Sequence, residues 1–369
     1  MDKESKLFYQ IALTQINGVG DIIARNLLDI VGDEEMIFKS GKKHLLSIEG
    51  ISNKLVDEIL NPAVLRKAEE ELKFIEKNKI NTFFFTDAGY PTRLKECIDA
   101  PILLYFKGNA DLNSKRIISI VGTRKSTDYG NSFCENFMES ISLNFPDALI
   151  ISGLAYGIDI QAHRSALKWD LPTIGVLAHG LDRIYPSLHR RTAIEMLEHG
   201  GLITEFSSGT EPDRFNFVRR NRIVAGMADA VIVVESDIKG GSLITAEIAN
   251  SYNKDVFALP GRITDTYSKG CNKLIGQNKA AMVLSADDFI QQMNWGNTNK
   301  QLPRQQELFL DLTDEEQKVH NILSQAESVH VNLLSIEAGI AISQLFSTLL
   351  EMEMKGIIKP LPGGMYKLV

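Results

Sequence analysis

Apolar residues recur along this chain with two different periods. Over the first 80 residues they fall at helical spacing. Ile23, Ala24, Leu27 and Leu28 follow the turn Ile16-Asn17-Gly18-Val19-Gly20, and Leu55, Val56, Ile59 and Leu60 follow Ile48-Glu49-Gly50-Ile51-Ser52 at matching offsets. Each copy is a glycine turn opening an amphipathic helix, which predicts a helix-hairpin-helix (SAM-like) domain over residues 1–80. Such turns can hold a DNA phosphate on backbone N–H groups. Ser52 replaces the last glycine of the second copy and few bases flank either turn, which favours a packing role. A charged helix over 62–79 leads to a buried strand around Phe83-Phe84-Phe85.

From Ile117 the pattern changes. Short apolar runs at 117–121, 148–152, 173–178, 201–204, 230–234, 255–259 and 281–284 alternate with helical stretches. Continuous apolar strands separated by helices predict a parallel sheet covered on both faces, a doubly wound Rossmann-like α/β domain over residues 81–293. Ligands in such folds bind beyond the carboxyl ends of the strands. Residues 294–306, polar and rich in Asn and Gln, read as a linker. Residues 307–369 contain a capped helix starting at Thr313-Asp314-Glu315-Glu316, two more helices and a glycine-rich hairpin, the order of a winged helix.

Charge at first argues against nucleic acid. Forty Lys and Arg against 47 Asp and Glu give a net charge of -7, whereas phosphate binding usually leaves a basic footprint. The distribution changes the picture: residues 306–369 hold nine acids and four bases, so -5 of the -7 lies there. The expected recognition helix, 342–355, has one lysine, at its last position, which points to a protein contact rather than duplex binding. The three cysteines, Cys97, Cys134 and Cys271, lack zinc spacing and suit a reducing cytoplasm. Residues 1–15 lack a signal-peptide core, and no apolar run is long enough to span a membrane.

The loops that follow the predicted strands carry the chemistry. They contain Gly122, Arg124 and Ser126 after the first strand, Ser152 and Gly153 after the second, and Gly240, Gly241 and Ser242 further on. Glycine lets N–H groups converge and a helix N-terminus adds positive potential, so a row of such loops suits several phosphates or one elongated anion. Arg214, Arg219, Arg220 and Arg222 lie within nine residues, beside Asn221 and interleaved with Phe215 and Phe217. Arginine forks grip phosphate and exposed rings stack on bases, the chemistry of single-stranded nucleic acid. No GxxxxGK[ST] is present, and GVGDII at 18–23 fails as a dinucleotide fingerprint, so neither nucleotide motif is met.

Taken in order, GYPTRLKECIDAPILLYFKG, IVGTRKSTDYG, ISGLAYGIDIQAH, GVLAHGLDRIYP, ITEF, RRNRIVAG, GGSLITAEIA, VFALPGR and GCNKLI resemble the DNA-processing protein A (DprA/Smf) family. The resemblance implies a cytoplasmic homodimer, paired through the Rossmann-like domain, that binds single-stranded DNA and loads RecA recombinase onto it during DNA uptake, with no metal, no cofactor and no enzymatic step. It implies DNA contacts at Arg124, Ser152, Gly153, Arg214 and Phe217, and at Arg190 or Arg191 beyond the Tyr-Pro element. Asn272 of GCNKLI completes the candidate set. One enzyme class competes: Gly240-Gly241 with Glu247 is similar to the PGGxGTxxE motif of phosphoribohydrolases, although Leu243 and Ile244 replace its Gly-Thr pair.

Overall fold

The computed structural model describes residues 3–48, 50–296, 312–324, 326, 328–361 and 363–368. Most of the sequence-predicted linker, 297–306, falls outside these residues. The chain forms two compact units, divided between Trp295 and Gly296.

The larger unit begins with six helices: α1 Lys3–Thr14, α2 Asp21–Val31, α3 Glu34–Lys39, α4 Lys42–Leu46, α5 Asn53–Ile59 and α6 Pro62–Asn78. The two repeated turns open α2 and α5. Ser52 caps α5 by accepting Leu55 N–H, while Gly20 precedes α2 without a side-chain cap. Ile11, Leu13, Leu27, Leu45 and Ile59 are fully buried together with Phe84, Leu103 and Tyr105 of the sheet, so the helices share a core with the domain that follows.

The sheet strands are β1 Asn81–Phe84, β2 Leu103–Gly108, β3 Ile117–Val121, β4 Leu149–Ser152, β5 Thr173–Val176, β6 Gly200–Thr204, β7 Ala230–Val233, β8 Asp255–Ala258 and β9 Ala281–Met282. Between them run α7 Thr92–Lys95, α8 Asp128–Asn144, α9 Ile158–Lys168, α10 Arg190–Met196, α11 Arg214–Gly226, α12 Gly241–Ser251 and α13 Lys269–Gly276, with α14 Ala286–Gln292 last. The strand order is β1-β2-β6-β5-β4-β3-β7-β8-β9. Strands β3 to β9 are parallel, as expected from the apolar runs. The sequence pattern missed β2, which runs antiparallel to β6 and carries β1 as the sheet edge.

Strand residues alternate between two cores. Ile117, Val121, Val231 and Val233 enter one, and Ile118, Ile120, Ala230 and Ile232 enter the other. Burial on both faces explains why these strands read as continuous apolar runs. The chain reverses its winding direction at β3, which pairs with β4 on one side and β7 on the other. Loops from both halves diverge above that point and leave a crevice between them.

The smaller unit contains α15 Asp314–Leu323, β10 Val329–His330, α16 Val331–Ala338, α17 Ile342–Met354, β11 Ile358–Leu361 and β12 Met365–Leu368, with β12 central in a three-stranded sheet. This is the winged-helix arrangement. Thr313 and Glu316 form the capping box that the sequence implied.

Candidate nucleic-acid interface

The switch-point crevice is a cleft of about 700 Å³. Ten of the sequence-predicted residues line it: Gly122, Arg124, Gly153, Arg214, Phe217, Arg220, Asn221, Gly240, Gly241 and Ser242. They arrive from four segments. The loop after β3 brings Gly122 and Arg124, and Glu235 holds it by accepting the Thr127 N–H at 2.9 Å and the Thr127 hydroxyl at 2.5 Å. The loop after β4 brings Gly153. Gly240 and Gly241 open α12, which has no side-chain cap. Its first N–H groups therefore face the cleft with the positive end of the helix behind them.

Helix α11 contributes most of the side chains. Asp213 caps it by accepting Phe215 N–H at 2.6 Å, and the Ser119 hydroxyl of β3 ties it to the sheet by donating to Val224 O at 2.6 Å. At about 100° per residue, Arg214, Phe217 and Asn221 share one face, and that face meets the cleft. Phe217 is half-buried. Its ring lies 5.3 Å from the Arg124 guanidinium, 5.9 Å from that of Arg220, and 5.9 Å from the Tyr185 ring. Phe215 is 81% exposed and takes no part in this cluster.

Arg220 forms the floor. It is 4% exposed and donates from Nη1 to Gly153 O at 2.6 Å and to Val176 O, while its Nε has no partner. Burial pushes its guanidinium down to about 10, so it stays charged at neutral pH. Among the described residues no carboxylate lies within 4 Å of it to form an ion pair. Asp159, which accepts Gly153 N–H at 3.2 Å, is nearby, and burial raises its carboxyl above the usual range. A Cβ at Gly153 would fall on the Arg220 guanidinium, so this position needs glycine for close approach rather than for backbone freedom. Gly157 needs both: its φ is 76°, and a Cβ there would strike the Thr123 carbonyl.

Several expected contacts lie elsewhere. Arg222 was expected to hold a phosphate, but it points away from the cleft. It is 6% exposed, and its Nη2 pairs with Glu205 Oε2 at 2.5 Å and Asp21 Oδ2 at 3.0 Å. Its position on α11 is about 140° from Phe217, which explains the miss. Burial pushes the Glu205 carboxyl up to about 7, against the pull of Arg222 and Arg219. Ser152 is fully buried and donates to Ile120 O at 2.6 Å, a structural bond. Asn272 staples the loop after β8, donating to Gly261 O at 2.8 Å and accepting Gly261 N–H at 3.1 Å. Ser126 lies outside the cleft lining. Arg190 is exposed beside a separate depression of about 430 Å³ with Lys107, Arg183 and Ile194. Two cleft neighbours were missed. Lys239 lines the cleft immediately before Gly240-Gly241, and Tyr185 stands against Phe217. A base abutting a glycine pair was the available signal for Lys239.

The three thiols are buried, and burial pushes those of Cys97 and Cys271 up to about 11 and about 12, as expected for packing residues. Among the described residues no three His, Cys, Asp or Glu side chains gather as a metal site, and no single helix is long and apolar enough to cross a membrane.

Comparison with known proteins gives one consistent family. The profile of DNA recombination-mediator protein A matches residues 81–294, and that of the DprA winged helix domain matches 304–364. Protein Smf of Synechocystis is 31% identical, over 98% of this chain and 99% of its own length. The DNA processing protein DprA of Bacillus subtilis is 40% identical over 58% of this chain and 71% of its own. The crystal structure of DprA from Streptococcus pneumoniae superposes with a TM-score of 0.63 at 33% identity, covering 77% of this chain and 97% of that one. DNA processing protein A from Helicobacter pylori, whose structure was reported for its single-stranded DNA binding mode, gives 0.53 at 29% identity, covering 59% and 96%. The chain belongs to the DNA recombination-mediator protein A family, the DprA/Smf proteins.

Proposed function

We propose that this protein binds single-stranded DNA in the switch-point cleft without regard to sequence and, as a cytoplasmic homodimer paired through its Rossmann-like domain, hands the strand to RecA recombinase in DNA uptake and recombination. The observation that carries the binding step is the gathering in one cleft of Arg124, Arg214, Lys239 and Arg220, which forms no ion pair among the described residues, with a half-buried ring and an uncapped helix start. Phosphates lie on the glycine-rich N–H groups and the arginines, and a base stacks on Phe217, a contact worth about 1–3 kcal/mol. Backbone and π-face contacts carry no sequence information. The Helicobacter pylori relative, a single-stranded DNA binder, supports the ligand. The recombinase, the dimer and the uptake setting rest on family membership.

The phosphoribohydrolase alternative loses its carboxylate. Glu247 stands on the outer side of α12, 3.5 Å from Lys279 and outside the cleft. We read the winged unit as a protein-contact module. Ile342, Phe346, Leu350 and Met354 form an exposed apolar stripe along α17, and Lys355 is held by Glu316 at 2.7 Å.

The test is single-stranded DNA affinity measured against salt. Arg124→Ala should weaken binding and flatten the plot by about 0.7 log units per log salt. Phe217→Ala should weaken binding about 5- to 150-fold with the slope unchanged. Binding unaffected by both changes would refute the assignment of the cleft.

A further inference from the structure

The first glycine turn, read from sequence as a possible phosphate holder, is occupied by the protein itself. Asp21 is the first residue of α2, and its Oδ1 accepts Ile102 N–H at 3.0 Å. Its Oδ2 lies 3.1 Å from Arg219 Nη2 and 3.0 Å from Arg222 Nη2. Glu205, at the end of β6, meets the same two guanidinium groups at 2.7 and 2.5 Å. The carboxylate at this turn would repel a phosphate, and the basic groups beside it are already paired.

Arg219 and Arg222 lie on the side of α11 opposite Phe217. Two carboxylates from different parts of the chain therefore grip one face of the helix that presents the ring and Arg214 on its other face. Glu205 Oε1 and Arg222 Nη1 are buried without partners of their own, so these two buried charges depend on their pairing with each other and with Asp21. Buried pairs of this kind fix orientation, because losing one partner leaves the other charge stranded.

We propose that the N-terminal helical segment acts on the DNA cleft from behind, with Asp21 as a positioning residue that sets the rotation of α11 and so the placement of Phe217 and Arg214. The inference rests on the reading of the cleft as the single-stranded DNA site. It assigns the N-terminal segment an intramolecular role in DNA binding, with no phosphate contact of its own at this turn.

The test uses the full chain. Asp21→Asn keeps an acceptor for Ile102 N–H and removes the charge. Affinity for a poly-dT oligonucleotide should fall about ten-fold. The decisive readout is a pair of double-mutant cycles, because a merely structural role would not distinguish between them. Asp21→Asn should be strongly sub-additive with Phe217→Ala, which acts through α11, and additive with Lys239→Ala, which lies on the loop before α12. Arg219→Gln, at a half-exposed side chain, should reproduce the Asp21→Asn pattern and serves if Asp21→Asn does not fold. If Phe217→Ala itself leaves affinity unchanged, the cleft assignment fails. If Phe217→Ala weakens binding while Asp21→Asn and Arg219→Gln leave it unchanged, or weaken it additively with Phe217→Ala, the cleft stands and the positioning role is overturned.

Discussion

Gly153→Ala offers a signed test of how the floor of the cleft is built. The added methyl would land on the guanidinium of Arg220, which is enclosed and bonded to the carbonyls of Gly153 and Val176. Arg220 cannot yield without weakening those two bonds, each worth about 1.5–3 kcal/mol as hydrogen bonds to a charged group. Residual bonding after a shift leaves an expected loss of about 2–4 kcal/mol. In an Arg220→Ala background the obstruction is gone. Gly153 has no left-handed backbone requirement, so the same methyl should then stabilise by about 0.4–1 kcal/mol through the unfolded chain. Urea unfolding of the four proteins measures both values, and single-stranded DNA affinity should fall with Gly153→Ala alone, as Arg220 moves from beneath Phe217. An equal cost for Gly153→Ala in both backgrounds would refute the reasoning, because the clash would then not be with Arg220.

Two further outcomes follow from other parts of the fold. His163 is fully buried with Nδ1 2.7 Å from the Thr173 hydroxyl and Nε2 unpartnered, and burial pushes its imidazole down to about 3. Its unfolded value is about 6.5, so the unfolded chain binds a proton that the native one refuses, and stability falls as pH drops below 6.5. At pH 5 that amounts to about 2 kcal/mol, a loss that His163→Gln should remove in urea titrations at pH 7 and 5; an identical pH dependence in the variant would contradict it. The winged unit, with its apolar α17 stripe and acidic balance, should show no specific duplex affinity as a fragment of residues 306–369 in a gel shift, and a discrete shifted band would count against the protein-contact reading.

The strands were legible because burial on both faces removes polar residues from them, leaving runs that a period count detects. β2 escaped because the segment after β1 carries only the single-turn α7, so the strand–helix rhythm that marked the others is absent. The arginines show the opposite difficulty. Their number was visible in the sequence, and helical phase sets Arg219 and Arg222 about 200° and 140° from Phe217. The partners that hold Arg222 away from the cleft are Asp21, 201 residues from it, and Glu205, 17 residues away in a different element. Lone acids at those distances carry no periodic signal. Ser152 and Asn272 fall in the expected region with their side chains bonded to backbone, since a buried hydroxyl and a loop amide look the same in sequence whether they bond to ligand or to backbone.

Charge placement makes the salt dependence more informative than affinity. The net -7 places most of its excess in the winged unit, and two of the four clustered arginines are neutralised behind α11. The cleft is left with Arg124, Arg214 and Lys239 on its walls and Arg220 beneath. At about 0.7 per phosphate contact, three or four such cations give a log–log salt slope of about 2–3 for single-stranded DNA. A slope near 4 would require Arg219 and Arg222 to leave Asp21 and Glu205 when DNA binds. Their pairing with the two arginines would then be a reserve of charge rather than a support for the helix, and Asp21→Asn would strengthen binding instead of weakening it.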